Sequence, residues 1–326
     1  MEEKILSTNI DASAVEKQFE EENKVTTTVR KTEFNEKNYL QARLKQGETK
    51  KSLTIRLLPF SPEGGSPFKK VFIHTVKVSK ELSPGGWRTF VCPTHNEMGD
   101  RCPFCEVSSR ANEYRRTTQD EVEKKKYGDI EFLNKAKAAW IVRCIERGHE
   151  DDGVKFWLFN DAKSKKGVYD NILNIYKERK ASAERRGKTT NIFDLNEGKD
   201  LIVTLTKDEN GKTVTNVVDD DEKTPLSDNF EQGMAWINDT KKWNEVYTVK
   251  PYEYMSIVIN GGIPVYSKEQ GKYVDLNEKK EEDKKIEEEQ IKANLTEQKK
   301  DFSTMENNAK DIVKNKVIVD GDDLPF

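Results

Sequence analysis

Three of the chain's four cysteines fall in one short stretch, in the pattern Cys92-x9-Cys102-x2-Cys105. Two thiolates at C-x2-C spacing can hold one tetrahedral Zn²⁺ from a single tight turn, and Cys92 adds a third sulfur from a separate segment. The surrounding Pro, Gly, Asp and Arg are not the apolar setting that inert core cysteines prefer. In a reducing compartment the cluster reads as one structural metal site, not as a disulfide framework. The fourth ligand should be a histidine. Two compete: His95, which makes a compact Cys92-Pro-Thr-His95, and His74, from the apolar run before the cysteines. Spacing by itself favours His95, because no long-range geometry has to be assumed; His74 is the alternative.

The same stretch contains an H-x-E, His95-Asn96-Glu97, followed by a C-x-x-C, which are the parts of a zinc deaminase signature. Four residues between Glu97 and Cys102 are too few for the two parts to come from separate helices. Arg101 also stands where that signature wants Pro. Counting Cys92 closes the coordination sphere, which marks a structural site. With no P-loop, no G-x-S-x-G and only three His in the chain, the sequence reads as non-enzymatic. A zinc-dependent hydrolase or deaminase is the distant alternative.

These ligands have to be positioned by short strands. Leu53-Thr-Ile-Arg-Leu-Leu58 and Val71-Phe-Ile-His-Thr-Val76 are β-rich runs separated by a Pro/Gly-rich loop over 59–67. A helical stretch is expected from Glu106 to about Lys126. The apolar runs 138–145 and 154–159 read as one hairpin. Runs 201–206 and 213–218 read as a second, around an Asn210-Gly211 turn that favours positive φ. Helical pieces around 167–179 and 228–246 pack on this sheet. Several short strands interrupted by helices predict a small barrel of mixed α+β class. In the first thirty residues, Ser13-Ala-Val-Glu16 fits a capping box on a short helix.

The chain has 326 residues, 34% hydrophobic and 35% charged, so one large or two modest domains fit at ~100–200 residues each. The 14 Phe, 10 Tyr and 5 Trp exclude a wholly disordered chain. No apolar run approaches the ~20 residues of a membrane helix, and the start MEEKILSTNIDAS lacks the basic and greasy regions of a signal peptide. A soluble protein that is not secreted by that route is expected. The formal net charge of -3 is unevenly divided. Residues 37–190 hold 32 Lys+Arg against 20 Asp+Glu, while the segments on either side are acidic. A basic middle between acidic ends suggests a polyanion-binding region joined to segments that would repel or mimic the polyanion. Glu278 to Glu289 has almost no apolar face and reads as a solvated linker. The tip Asp320-Gly-Asp-Asp-Leu-Pro-Phe326 sets a Phe and a carboxylate beyond three Asp, a combination that a basic-rimmed pocket on a partner could capture.

The order Ile55-Arg-Leu-Leu-Pro59, Pro67-Phe68, His74, Trp87-x4-Cys92, Cys102-Pro-Phe-Cys105 resembles the single-stranded-DNA-binding protein family of T-even bacteriophages. The likeness continues more weakly through Tyr114, Trp140-Ile-Val, 154–159, Tyr169-Asp-x-Ile172 and 201–205, covering roughly 50–220. Gly99 and Ala138 depart from it, standing where the family has Tyr. The resemblance implies an OB-fold-like barrel with an inserted structural zinc subdomain, peripheral helices and a disordered acidic tail. It implies an N-terminal arm over 1–30, a single-stranded-DNA-binding core over 31–265 with its zinc subdomain at about 70–115, and a tail over 266–326. It also moves the fourth ligand from His95 to His74, completing His74, Cys92, Cys102 and Cys105 around one Zn²⁺.

Bases expose π-faces and phosphates carry charge, so aromatic stacking at ~1–3 kcal/mol per base combines with Lys/Arg contacts to give tight, salt-sensitive binding. The stacking candidates are Trp87, Tyr114, Trp140 and Trp157. The phosphate candidates are Arg56, Arg88, Arg110, Arg115, Arg116, Lys135, Lys137 and Arg143. Lys4, Ser7 and Thr8 look like a trace of the family's self-association motif, which gives cooperative filaments. Asp320, Asp322, Asp323, Leu324, Pro325 and Phe326 look like the tail tip with which bacterial single-stranded-DNA-binding proteins recruit replication and repair partners. The expected role is to coat and protect single-stranded DNA and melt its secondary structure during phage replication, recombination and repair, in the cytoplasm of an infected bacterium, with no membrane partner. A zinc-stabilised RNA-binding regulator is the runner-up.

Overall fold

A computed structural model of the chain describes residues 35–281 and 285, apart from 46, 61, 63, 100, 163–166 and 190. The arm with Lys4, Ser7 and Thr8, the capping box at Ser13 and the tail tip from Asp320 lie outside the described residues. In chain order come β1 (Lys50–Leu57), β2 (Phe68–Lys77), β3 (Trp87–Val91), α1 (Pro103–Thr117), α2 (Glu121–Asn134), β4 (Lys137–Glu146) and β5 (Lys155–Asn160). Then follow α3 (Val168–Glu184), β6 (Leu201–Lys207), β7 (Thr213–Asp219), α4 (Phe230–Ile237), α5 (Trp243–Val246), α6 (Tyr252–Ile259), β8 (Pro264–Ser267) and β9 (Lys272–Asp275). The chain is thus of mixed α+β class with antiparallel sheet, as its patterning predicts. The described residues divide into two compact units, one formed by those up to Lys70 with those of Ala138–Thr248, the other by those of Val71–Lys137 with those from Val249 on.

The first unit is built on antiparallel pairing. β1 runs against β6 from Lys50 to Ile55 and against the end of β4 from Ile55 to Leu57. β4 pairs with β5, and β6 with β7. These last two pairs are the hairpins expected from the sequence, and Gly211 takes φ 73° in the second turn. Alternation decides the core: Leu53, Ile55 and Leu57 from β1, Val142 and Cys144 from β4, and Leu201, Val203 and Leu205 from β6 pack with Ile172 of α3. The same alternation turns Arg56 and Arg143 to the other side of their strands, where later segments bury them. Arg56 Nη1 lies 2.9 Å from Asp200, whose carboxylate also takes Arg147 at 2.9 Å. Gly198 is required at that crossing, since a Cβ there would sit 2.2 Å from the Asp194 carbonyl oxygen and 2.9 Å from Arg56 Nη2.

The second unit pairs Ile73–Lys77 of β2 with Val91–Trp87 of β3. The single helical stretch expected from Glu106 to about Lys126 is two helices, because Asp120 caps a new one by accepting the Val122 and Glu123 N–H groups. Phe104, Phe90, Val76 and Val78 form a core with Tyr254, Met255 and Val258 of α6. The unit that holds the cysteines therefore extends beyond the 70–115 read from the sequence, to Lys137 and into the chain after Val249. The β8–β9 pair, with Ser267 and Val274 buried, also carries folded chain past residue 266, where the sequence reading starts the tail.

Candidate metal centre and nucleic-acid-binding residues

The four cluster residues arrive from three local structures. His74 sits mid-strand in β2 opposite Phe90, and Cys92 follows the end of β3. Cys102 is the N-cap of α1, with Pro103 at the first helical position, and Cys105 lies in that helix's first turn. The turn after Cys92 is held by Asn96, whose side-chain amide donates to the Phe72 and Cys92 carbonyls at 2.7 and 2.8 Å and accepts the Phe72 N–H at 2.9 Å. Glu97 takes φ 57° there, a left-handed backbone uncommon for a residue with a Cβ.

These elements bring His74, Cys92, Cys102 and Cys105 to one point, with one ligand atom from each within 4.8 Å of the others. His74 Nε2 is 3.3 Å from Cys102 Sγ and 3.6 Å from Cys105 Sγ, and the Cys92 and Cys105 sulfurs are 3.5 Å apart. A tetrahedron with Zn–S of ~2.3 Å and Zn–N of ~2.0–2.1 Å has edges of about this length. On the far side of its ring, His74 Nδ1 lies 2.8 Å from the Asn134 carbonyl oxygen. An Nδ1–H donated there leaves Nε2 as the free ligand atom, the usual outer support of a metal-bound imidazole. Three thiols and one imidazole are the donor set of a closed structural zinc site, and the residues fit that metal. His95 stays outside this set: it is exposed, with Nδ1 at 3.2 Å from Cys92 Sγ and 3.5 Å from Cys105 Sγ.

The electrostatics of the four side chains follow from their crowding. Burial pulls the His74 pKa down, but hydrogen bonds to the Cys102 and Cys92 sulfurs outweigh it and raise it to about 9. Cys102 is lowered, first by its hydrogen bonds with Cys105 and Cys92, while Cys105 is raised by its bond with Cys102. One sulfur takes the negative charge and its neighbour keeps its proton. Cys144 has no such company: it is buried in the first unit's core, and desolvation pushes its thiol up.

The candidate DNA contacts separate into three groups. Trp87 and Tyr114 are exposed, and Tyr114 stacks on Tyr127 with ring centroids 5.3 Å apart. Arg110, Arg115, Arg116 and Lys135 are also exposed; Arg115 is bridged to Glu131 at 3.0 Å. Half-buried Arg88 lies over the Phe90 and Tyr254 rings, and half-buried Lys137 over the Phe132 ring at 4.7 Å. Trp140 is half-buried and stacked on Tyr169, centroids 4.1 Å apart and planes within 6°, with Lys70 Nζ 5.5 Å from its ring.

Arg56, Arg143 and Trp157 require correction. Arg56 is 1% exposed and held by Asp200 and Thr224, so no phosphate reaches it without breaking a buried ion pair. Trp157 is a core residue packed beside Phe159. Arg143 is 4% exposed, its Nη2 donating to the Trp236 and Asp239 carbonyls, and it cannot lie along an open surface groove. Sequence reasoning in turn missed Lys70, Tyr127 and Phe132, and did not give Tyr169 a stacking role. The exposed Phe132, flanked by Leu133 in a charged helix, is a signal that could have been read. The Asn134 carbonyl behind His74 has none, because a backbone group carries no residue code.

A closed Cys3His set, together with exposed aromatic and cationic side chains on an α+β framework, defines a nucleic-acid-binding class more readily than a catalytic one. The chain belongs to the gp32 DNA-binding-protein-like family, whose model matches residues 49–232. A search of the curated proteins found no match. That family is the one the cysteine, Trp and Ile-Arg-x-Leu-Pro pattern resembles. Among the described residues no helix is long and apolar enough to cross a membrane.

Proposed function

We propose that the protein binds and coats single-stranded DNA without catalysing a reaction, and that one Zn²⁺ held by His74, Cys92, Cys102 and Cys105 braces the unit that carries it. The family match over residues 49–232 is the observation that carries this reading. The family is one of DNA-binding proteins, not of enzymes. The clustered donor set supports the metal, and the exposed Trp87, Tyr114, Arg110 and Arg116 supply the π-faces and charges that unpaired strands need. Preference for single strands melts secondary structure by mass action, without ATP. Protection of DNA during phage replication, recombination and repair fits this activity. Self-association through Lys4, Ser7 and Thr8, and recruitment of partners through Asp320 to Phe326, extend the proposal to segments read from sequence alone.

Titration of oligo(dT), oligo(U) and duplex DNA against tryptophan fluorescence at several salt concentrations tests the binding. Quenching strongest with oligo(dT) and weakening steeply with salt is expected; duplex preference, or no quenching by oligo(dT), overturns it. Metal analysis of His74→Ala and His95→Ala tests the ligands. Stoichiometric zinc in His95→Ala only is expected, and the reverse would reassign the fourth ligand.

A further inference from the structure

The metal centre has a neighbour that its ligand set leaves over. His95 is exposed, yet its ring is held in place. It packs against Phe72 of β2 with ring centroids 5.5 Å apart, and its Nδ1 lies 3.2 Å from Cys92 Sγ and 3.5 Å from Cys105 Sγ. Those two sulfurs are 3.5 Å apart, so Nδ1 sits against one edge of the donor tetrahedron. The His95 backbone N–H donates to the same Cys92 sulfur at 3.4 Å. Burial is uneven around the cluster: His74, Cys92 and Cys102 are buried, whereas Cys105 is half-buried. Solvent therefore meets the cluster at the Cys105 end of the edge that His95 touches.

The donor chemistry decides what the ring does there. His74 and the three sulfurs fill the four positions of a tetrahedral zinc site, which leaves none for a fifth ligand. A metal-bound cysteine is a thiolate, which has no proton and can only accept a hydrogen bond. The Nδ1···Sγ contact therefore needs the proton on nitrogen, so that His95 donates to the Cys92 sulfur and offers the metal no lone pair. Three thiolates carry more negative charge than one Zn²⁺ neutralises, and an N–H directed at a sulfur disperses part of that excess. A sulfur relieved of charge is a weaker nucleophile toward whatever solvent brings to it. We propose that His95 is a positioning residue of the zinc site, whose Nδ1–H holds the Cys92 thiolate at the cluster's solvent-facing edge and sets how fast the metal leaves, not whether it binds. The assignment rests on the zinc reading above and adds to it a role for the histidine that the ligand set excludes.

Two variants of the full chain separate the N–H from the ring. His95→Phe keeps an aromatic ring against Phe72 and removes the donor. His95→Asn removes the ring but carries an amide N–H on the atom that corresponds to Nδ1. Both keep the backbone N–H of residue 95. The measurements are zinc content, the rate of zinc transfer to excess EDTA, and the sulfur-to-cobalt charge-transfer band of the Co²⁺-loaded protein. Wild type and both variants should hold one zinc per chain. His95→Phe should release it ~10-fold faster, the low end of what loss of an outer partner costs in metal affinity. Its charge-transfer band should move to longer wavelength, because a thiolate without the hydrogen bond gives up charge more easily. His95→Asn should return both readings toward wild type. An unchanged rate and band in His95→Phe refute the assignment. Release from His95→Asn as fast as from His95→Phe refutes it too, and shows that the ring acts by packing. Loss of stoichiometric zinc from both variants, with the wild type loaded, overturns it by making His95 a ligand. A wild type that holds no zinc is a different result, which overturns the zinc reading itself.

Discussion

In the first unit the Arg56 guanidinium lies against Asp200 and is shut off from solvent, whereas in the second Arg110 and Arg116 stand exposed on α1. The aromatics divide in the same way: Trp157 is core, and Trp87 is 48% exposed. The cause is the element that carries each residue. A strand covered on both sides has no free face, so every cation on it must be paired or solvated by carbonyls. Helix α1 buries only Pro103, Phe104, Ser108 and Ala111, and leaves the rest of its circumference open. A count of basic residues along a sequence therefore overstates the charge that can meet a phosphate.

Removing the metal should have the largest effect and should separate the units. Binding free energies for structural zinc reach ~10–16 kcal/mol in small zinc peptides, and His74→Ala or chelation removes this support from the second unit alone. Hydrogen exchange should rise across β2, β3, α1 and α6 while β1, β4 and β6 stay protected. Uniform loss of protection would show that the two units do not differ in this way.

Next in size are substitutions of the buried residues in the first unit. Arg56→Met should lower stability by ~3–5 kcal/mol, since Asp200 is left under-compensated, and Trp157→Ala by a similar ~3–5 kcal/mol. Urea unfolding measures both, and oligo(dT) affinity of the folded fraction should be unchanged. The exposed aromatics reverse this pattern. Trp87→Ala and Tyr114→Ala should each weaken oligo(dT) binding by ~1–3 kcal/mol, with the urea midpoint nearly constant. Arg116→Gln is smaller again, reducing the salt slope by about 0.7 if it meets one phosphate.

The smallest effect is electrostatic and lies in the first unit. Asp219 of β7 faces Arg179 of α3. Burial pushes its carboxyl up, but the Arg179 guanidinium outweighs burial and holds it below its ordinary 3.8. The pair therefore stabilises the fold above pH ~4, the unfolded carboxylate value, and the contribution is lost as acid drives the pH below the folded pKa. Because Arg179 is largely exposed, Arg179→Met should cost only ~0.2–1 kcal/mol at neutral pH, and the difference from wild type should vanish in strong acid. A difference that persists there would mean that Arg179 acts through packing instead.

The strands and hairpins were legible because alternation and the Asn210-Gly211 turn are local signals. The break between α1 and α2 was not read, although Asp120 with Glu123 three residues later is a capping pattern. Cysteine spacing marked the metal centre, yet it pointed to His95 over His74 until the family likeness was weighed. The structure places His74 in the cluster because β2 lies beside β3 and sets its ring within reach of Cys102 and Cys105. No spacing rule encodes that neighbour.

By itself the sequence determined the α+β class, the three thiols at one metal-type site, the family, and the basic middle between acidic ends. These depend on residue type and short-range order, which a chain displays before it folds. The tertiary structure decided which imidazole joins the thiols and which arginines are shut away. Burial and approach are set by partners far apart in the chain, as between Arg56 and Thr224, 168 residues distant.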